Sequence, residues 1–302
     1  MMEYKDPLKE CVLCPRKCKV DRTAGEKGFC GMTDKLMAAR AALHMWEEPC
    51  ISGEEGSGTV FFSGCNMGCV YCQNRSIARG KTAKEITIRR LADIFLELQE
   101  KGANNINLVT PTHFIPQIKE SLLMARQRGL VLPILYNSSG YERAEIIKGL
   151  EGIVDIYLPD LKYVSPELSK RYSHARDYFR CAKEAIKEMV RQSPAPEFDK
   201  RGIIRKGVIV RHLVLPGAVE DSKRVLRYLY KNFGEQIYIS IMNQYTPMGE
   251  FPHMPELGRT VTKEEYEEVI DCAISLGISQ GYIQEGETAK ESFIPIFDYE
   301  GL

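Results

Sequence analysis

The sequence lacks the features that would place it in a membrane, on a nucleic acid or outside the cell. No run approaches the roughly 18 consecutive apolar residues that a membrane span needs, and the first ten residues are charged rather than signal-like. Excess charge is missing as well. The 41 Lys and Arg balance 41 Asp and Glu, and no long basic block appears, so the electrostatic footprint of a nucleic-acid binder is absent. Tryptophan occurs once, at Trp46, where it is expected to anchor the packing of the N-terminal residues. These absences predict a cytoplasmic chain with no nucleic-acid and no membrane partner, whose cysteines are reduced. At 302 residues it has room for one α/β barrel with an appendage.

Cysteine is what the chain has in quantity: ten residues, seven of them at metal-ligand spacing. Cys65, Cys69 and Cys72 form C-x3-C-x2-C directly after the apolar run 59–62. Cubane iron–sulfur clusters are normally held by four thiolates, so a loop offering three leaves one iron with an open position. Zinc is the competing metal, but structural zinc sites usually draw their cysteines from two separated pairs. Upstream, Cys11, Cys14, Cys18 and Cys30 form a set that would complete a coordination shell. Arg16, Lys17, Lys19 and Arg22 lie beside them and favour thiolates. Zinc and a second 4Fe–4S cluster both remain open for that set, since coordination number does not separate them. Cys50, Cys181 and Cys272 are ordinary small core residues.

Periodicity supplies the scaffold. Strand-like runs at 59–62, 106–110, 132–136, 154–158, 208–215 and 237–242 alternate with helical patterns at 88–98, 116–128, 141–150, 179–190, 221–232 and 263–276. Six strands separated by helices predict a parallel sheet with right-handed crossovers, either doubly wound or barrel-like. The chain divides into a cysteine-rich metal-binding segment, 1–50, and an α/β unit, 51–302.

The C-x3-C-x2-C loop, with Tyr71 before its last cysteine, resembles that of the radical S-adenosylmethionine (SAM) superfamily, whose open iron chelates SAM. The resemblance implies a partial (β/α)6 TIM-like barrel with the cluster loop after strand one and reactive groups at the carboxyl ends of the strands. Asn137-Ser138 after strand three, Asp160-Leu161-Lys162 after strand four and Arg211 on strand five are similar to the branch typified by the pyruvate formate-lyase activating enzyme. Carried over by motif, Asn137, Ser138 and Asp160 stand near the SAM carboxylate, while Lys162 and Arg211 contact SAM. Structural ion pairing is the alternative for Asp160, Lys162 and Arg211. The branch's Gly-Gly-Glu after strand two is replaced by Thr110-Pro111-Thr112-His113, which leaves the Thr110 backbone and the Thr112 hydroxyl for the SAM amino group. Gln244 stands where the branch often has histidine, and Tyr71 joins the cofactor-binding set. His113 is either structural or catalytic.

The resemblance implies an enzyme that cleaves SAM to a 5′-deoxyadenosyl radical and abstracts hydrogen from a protein or peptide, with a one-electron donor such as flavodoxin or ferredoxin. Action on a small metabolite and a non-catalytic iron–sulfur carrier are the alternatives. A lid for the site is offered by segment 53–58, by the N-terminal residues or by the tail 284–302.

Overall fold

The computed structural model describes residues 6–284 and 295–302. Its sheet is built from β1 (Met37–His44), β2 (Ser57–Phe62), β3 (Lys84–Glu85), β4 (Ile106–Val109), β5 (Ile134–Ser138), β6 (Ile156–Pro159), β7 (Glu197–Phe198), β8 (Ile204–Leu213), β9 (Tyr238–Met242) and β10 (Gly281–Ile283). The spatial order is β10-β9-β8-β6-β5-β4-β2-β1-β3, with β7 attached to β8. From β2 to β10 along this order every pairing is parallel. The two edges of the sheet do not meet, so the architecture is a partial barrel that stays open.

Every residue of β2, β4, β5 and β6 is buried. That is why these strands appear in the sequence as continuous apolar runs without alternation: helices cover the outer face of the parallel sheet and the barrel interior buries the other. Helices α1 (Pro49–Ser52), α2 (Arg75–Ala78), α3 (Ile88–Glu100), α4 (Ile115–Gln127), α5 (Ala144–Lys148), α6 (Pro166–Ser173), α7 (Tyr178–Gln192), α8 (Val219–Phe233) and α9 (Lys263–Leu276) make the crossovers and flanks. Local chemistry fixes their ends. The Thr87 side chain accepts from the Arg90 N–H at 3.0 Å to start α3, and Thr262 and Glu265 form a reciprocal capping box on α9. In α7, Ala182, Ala185, Ile186 and Met189 have no exposed surface, which is the apolar stripe that its 3.6-residue period requires. No helix among the described residues is long and apolar enough to cross a membrane.

The sheet exceeds the six expected strands at both ends. On one side β1 lies antiparallel to β2, so the sheet begins inside the stretch that the sequence sets apart as 1–50. Its Ala-rich sequence has little intrinsic strand preference. What holds it extended is distant chain: β2 on one side and, on the other, the C-terminal residues, through Ala41 N–H to the Glu300 carbonyl at 2.8 Å and Tyr299 N–H to the Ala39 carbonyl at 3.1 Å. On the opposite edge β10 adds three residues parallel to β9. Of the tail 284–302 named above as a lid, residues 285–294 lie outside the described residues.

The N-terminal lobe has only a small core of its own, Leu8, Cys11 and Leu13. Two arginines tie it to the barrel. Arg22 is fully buried and donates to the carbonyls of Thr33 at 3.1 Å and His113 at 2.6 Å. Arg16 donates to the carbonyls of Asn66 and Met67 at 2.9 and 3.2 Å, while its guanidinium stacks 3.8 Å from the Phe29 ring centroid.

Candidate active site at the strand ends

A cavity of about 430 Å³ opens at the carboxyl ends of the parallel strands. Its wall brings together residues spread over 180 positions of sequence: Cys65, Cys69 and Cys72 after β2, Thr110 after β4, Asn137 and Ser138 at the end of β5, Asp160 and Lys162 after β6, Arg211 on β8 and Gln244 after β9. Two expected members stand outside it. Tyr71 is buried beneath the cysteine loop, its hydroxyl 2.5 Å from that of Tyr163. Thr112 is buried too and donates to Glu142 Oε1 at 2.6 Å.

The cysteine loop is shaped by glycine and by carbonyl contacts. Gly64 has φ of +90°, and a Cβ there would stand 2.9 Å from the Cys30 carbonyl oxygen; only glycine allows the N-terminal lobe to approach so closely. Burial pushes the Cys72 thiol up to about 12, with the neighbouring Cys69 and Cys65 adding to the rise. Burial and then Cys69 likewise raise Cys65. A loop of three thiols, two of them held protonated in this way, is a donor set that a cationic iron–sulfur core would deprotonate and neutralise. Among the described residues, no three His, Cys, Asp or Glu side chains form a group that could hold a metal ion. A cubane makes no such demand, because each cysteine binds a different iron. The donor chemistry fits a cluster with one open iron.

Charged pairs face the thiols. Lys162 Nζ lies 2.5 Å from Asp160 Oδ2. Burial opposes its charge, yet Asp160 and then Cys69 outweigh that cost and hold the ammonium above its ordinary range. Arg211 is bound on both sides: its Nε and Nη2 donate to the Glu48 carboxylate at 2.9 and 3.1 Å, and Nη2 also donates to Glu47. Glu47 in turn accepts from Asn107 at 2.8 Å. Glu47 and Glu48 line the cavity and are not among the site residues expected from sequence. The signal for them was weak, two acidic residues before a proline. Trp46 is 61% exposed and lines the cavity, which corrects the expectation that it anchors packing in the lobe.

Thr110 has φ of +58°, a left-handed conformation that is strained for a β-branched residue and doubly so before a proline. Its N–H donates to the Asn137 carbonyl at 2.9 Å. Strain of this kind persists only where surrounding structure enforces it, and it concentrates at functional sites. At the next turn Gly140, with φ of +74°, packs against the Asp160 carbonyl too closely for any side chain. The loops after β5 and β6 are thereby locked to each other.

Residues 59–229 match the family described as the radical SAM superfamily. That is more than half of the chain. The chain belongs to the radical SAM superfamily. Membership implies a 4Fe–4S cluster and SAM. An uncharacterised protein of Methanocaldococcus jannaschii, MJ0674, is 28% identical to this radical SAM protein over 279 residues, which are 89% of this chain and 75% of the relative. A crystal structure of HydG, a maturase of the FeFe-hydrogenase, is similar with a TM-score of 0.50 at 14% identity, covering 74% of this chain and 50% of that one. Methylornithine synthase (PylB) has a TM-score of 0.48 at 14% identity, with 70% and 59% covered. The chain spans about half the length of the HydG structures it matches.

Beneath the radical SAM cavity lie groups that position rather than line it. His113 donates from Nε2 to the Ser63 carbonyl at 2.7 Å; burial drives its pKa down to about 4, so it stays neutral and supports the start of the cysteine loop. Nearby, the N-terminal cysteines lie within electrostatic reach of one another. Burial pushes the Cys14 thiol up to about 12, with Glu142, Cys30 and Cys18 adding to the rise, and Cys11 and Cys18 act on Cys30 in the same sense. The Phe29 N–H points at Cys18 Sγ from 3.4 Å. A Cβ on Gly28 would sit 2.9 Å from the same sulfur.

Glu142 lies within electrostatic reach of Cys14. Burial pushes its carboxyl from 4.5 up to about 8 against the pull of bonds to Thr112, Ser138 and Tyr136. Because the folded pKa is raised, the stability linked to this group is fully present below the ordinary carboxylate range and is lost as pH climbs through about 8. Glu142→Gln is therefore expected to flatten the loss of stability on going from about pH 5 to about pH 9, an effect of roughly a few kcal/mol in urea titrations. An equal slope in both proteins would contradict the assignment.

Lys162 is the cavity's ammonium. Lys162→Ala is expected to weaken SAM binding by roughly tenfold to a hundredfold, the worth of a hydrogen bond to a charged group, with a modest fall in melting temperature. Equilibrium binding to anaerobically reconstituted protein and a thermal melt decide it. A large fall in melting temperature with unchanged SAM affinity would make the Asp160 pair purely structural.

Proposed function

We propose that this chain cleaves SAM reductively and directs the resulting radical at a polypeptide, in the manner of a glycyl-radical activase. The observation that carries this is the single cavity in which Cys65, Cys69 and Cys72 face Asn137, Ser138, Asp160 and Lys162. A 4Fe–4S cluster held by Cys65, Cys69 and Cys72 would supply the electron, and SAM bound at its open iron would accept that electron at its sulfonium and supply the hydrogen-abstracting group. The chain's own residues bind and orient. Lys162 offers the SAM carboxylate a cation, Asn137 and Ser138 offer polar atoms at the end of β5, and the strained Thr110 turn presents backbone acceptors to the amino group. The Arg211, Glu47 and Glu48 network holds the wall in place. A flavodoxin- or ferredoxin-type donor supplies the electron.

Two features support a polypeptide over a small metabolite. The sheet does not close into a full barrel, and the cavity wall carries the exposed Trp46, a rigid aromatic of the kind that anchors protein contacts. The reconstituted protein with dithionite, SAM and either deuterated cell protein or deuterated metabolites tests the reading. Deuterium in 5′-deoxyadenosine from the protein arm is expected, and transfer from the metabolite arm alone would reverse the choice. Absence of SAM cleavage would leave a non-catalytic iron–sulfur carrier.

We also propose that Cys11, Cys14, Cys18 and Cys30 hold a second, closed metal site, zinc or a 4Fe–4S cluster. Their mutual electrostatics and the N–H aimed at Cys18 support it, since backbone N–H groups commonly accompany ligating thiolates. Metal analysis of a variant lacking Cys65, Cys69 and Cys72 is expected to retain zinc or iron. Finding neither would remove the second site.

A further inference from the structure

Behind the cysteine loop, on the side away from the cavity, runs a line of buried hydroxyls that the proposed chemistry leaves unused. Ser173 Oγ stands 3.0 Å from Cys69 Sγ, Tyr163 Oη is 2.9 Å from Ser173 Oγ, and Tyr71 Oη is 2.5 Å from Tyr163 Oη. Ser173, Tyr163 and Tyr71 are 0%, 1% and 5% exposed. Their frame is fixed from three directions. Val70 N–H donates to the Tyr172 carbonyl at 2.8 Å, Arg16 donates to the Ser173 carbonyl at 3.3 Å, and the rings of Tyr163 and Tyr172 pack with centroids 6.3 Å apart.

We propose that Ser173 is a positioning residue that raises the reduction potential of the cluster held by Cys65, Cys69 and Cys72, through a hydrogen bond to Cys69 that Tyr163 and Tyr71 orient. The inference rests on the cluster reading above. The direction follows from counting hydrogens. A ligating thiolate only accepts, so the single Ser173 hydrogen goes to Cys69. The lone pair of Ser173 then takes the Tyr163 hydrogen, and Tyr163 takes that of Tyr71. All three O–H dipoles point toward the sulfur, in a dry environment where such chains strengthen one another. Hydrogen bonds to the sulfurs are among the determinants of iron–sulfur potentials. Reduction adds negative charge, which a donor at the sulfur stabilises, so the relay makes the cluster easier to reduce. It also accounts for an aromatic with a hydroxyl at position 71, outside the cavity.

The test is a redox titration of the anaerobically reconstituted holoprotein followed by electron paramagnetic resonance, with iron content measured alongside. Wild-type protein is measured first, and failure to bind iron would overturn the cluster reading itself. Ser173→Ala is expected to keep its iron and shift the midpoint to more negative potential; Tyr163→Phe is expected to shift it the same way by less; Ser173→Thr, which keeps the hydroxyl, is expected to stay near wild type. Should Ser173→Ala fail to hold iron, Tyr163→Phe decides, because it preserves the ring and removes only the second link. Midpoints equal to wild type in the iron-loaded variants would overturn the inference and leave the relay as packing.

Discussion

Replacing Cys65, Cys69 and Cys72 together with alanine is expected to abolish formation of 5′-deoxyadenosine from SAM while leaving the protein folded. The loss should be complete rather than graded. Chelation of SAM needs an iron without a protein ligand, and a cluster loop with none of its three thiolates offers no iron at all. Stability should fall little by comparison. Each substitution keeps the Cβ, and the loop's position is set by contacts that do not involve sulfur: Arg16 to the carbonyls of Asn66 and Met67, and Asn66 Nδ2 to the Tyr141 carbonyl at 2.8 Å. Anaerobic reconstitution, dithionite and chromatographic detection of the nucleoside measure the first quantity, and thermal melting the second. Retained 5′-deoxyadenosine would sink the assignment of these thiols to the cluster. Loss of the fold would show that the metal holds the loop, and a single Cys72→Ala variant would then have to carry the activity test.

Arg211→Ala is expected to be the most destabilising single change at the cavity, at about 3–5 kcal/mol, the usual cost of removing one partner from a buried ion pair. The Glu47 and Glu48 side chains are 7% and 6% exposed, and the guanidinium is their shared counter-ion. Without it, two buried carboxylates must either remain charged and unpaired or take up protons, and both outcomes favour the unfolded chain. Chemical denaturation at neutral pH measures the loss. Because protonation relieves two unpaired carboxylates, the deficit relative to wild type should shrink as pH falls. A variant as stable as wild type, with weakened SAM binding, would assign Arg211 to the cofactor instead of to the wall. Lys162 differs in kind: its one carboxylate partner, Asp160, is itself 20% exposed, so its loss should register in SAM affinity more than in stability.

How much of this was legible beforehand differs from residue to residue, for physical reasons. The C-x3-C-x2-C loop was legible because its chemistry is local. Spacing of three and two residues keeps three thiols within one turn of chain wherever the chain goes. The core strands were legible because burial on both faces leaves uninterrupted apolar runs, and α3, α7, α8 and α9 because one buried face leaves a helical period. From these a parallel sheet follows, which the radical SAM resemblance makes a partial barrel, and with it the rule that polar residues just past a strand, such as Asn137, Asp160 and Lys162, share one mouth.

The tertiary structure decided what depends on distant partners. Strand β1 is extended because β2 and the C-terminal residues flank it, not because of its own Ala-rich sequence. Arg211 is the right residue in the right place, yet only the fold supplies Glu47 and Glu48 from some 160 positions away to hold it. Tyr71 and Thr112 belong to the loops that the sequence singled out, but backbone direction turns the first toward Tyr163 and the second toward Glu142, out of the cavity. Sequence spacing fixes which groups travel together along the chain. Which of them face the cavity, and which spend their hydrogen bonds behind it, is set by side-chain direction and long-range pairing, and those exist only once the sheet has assembled.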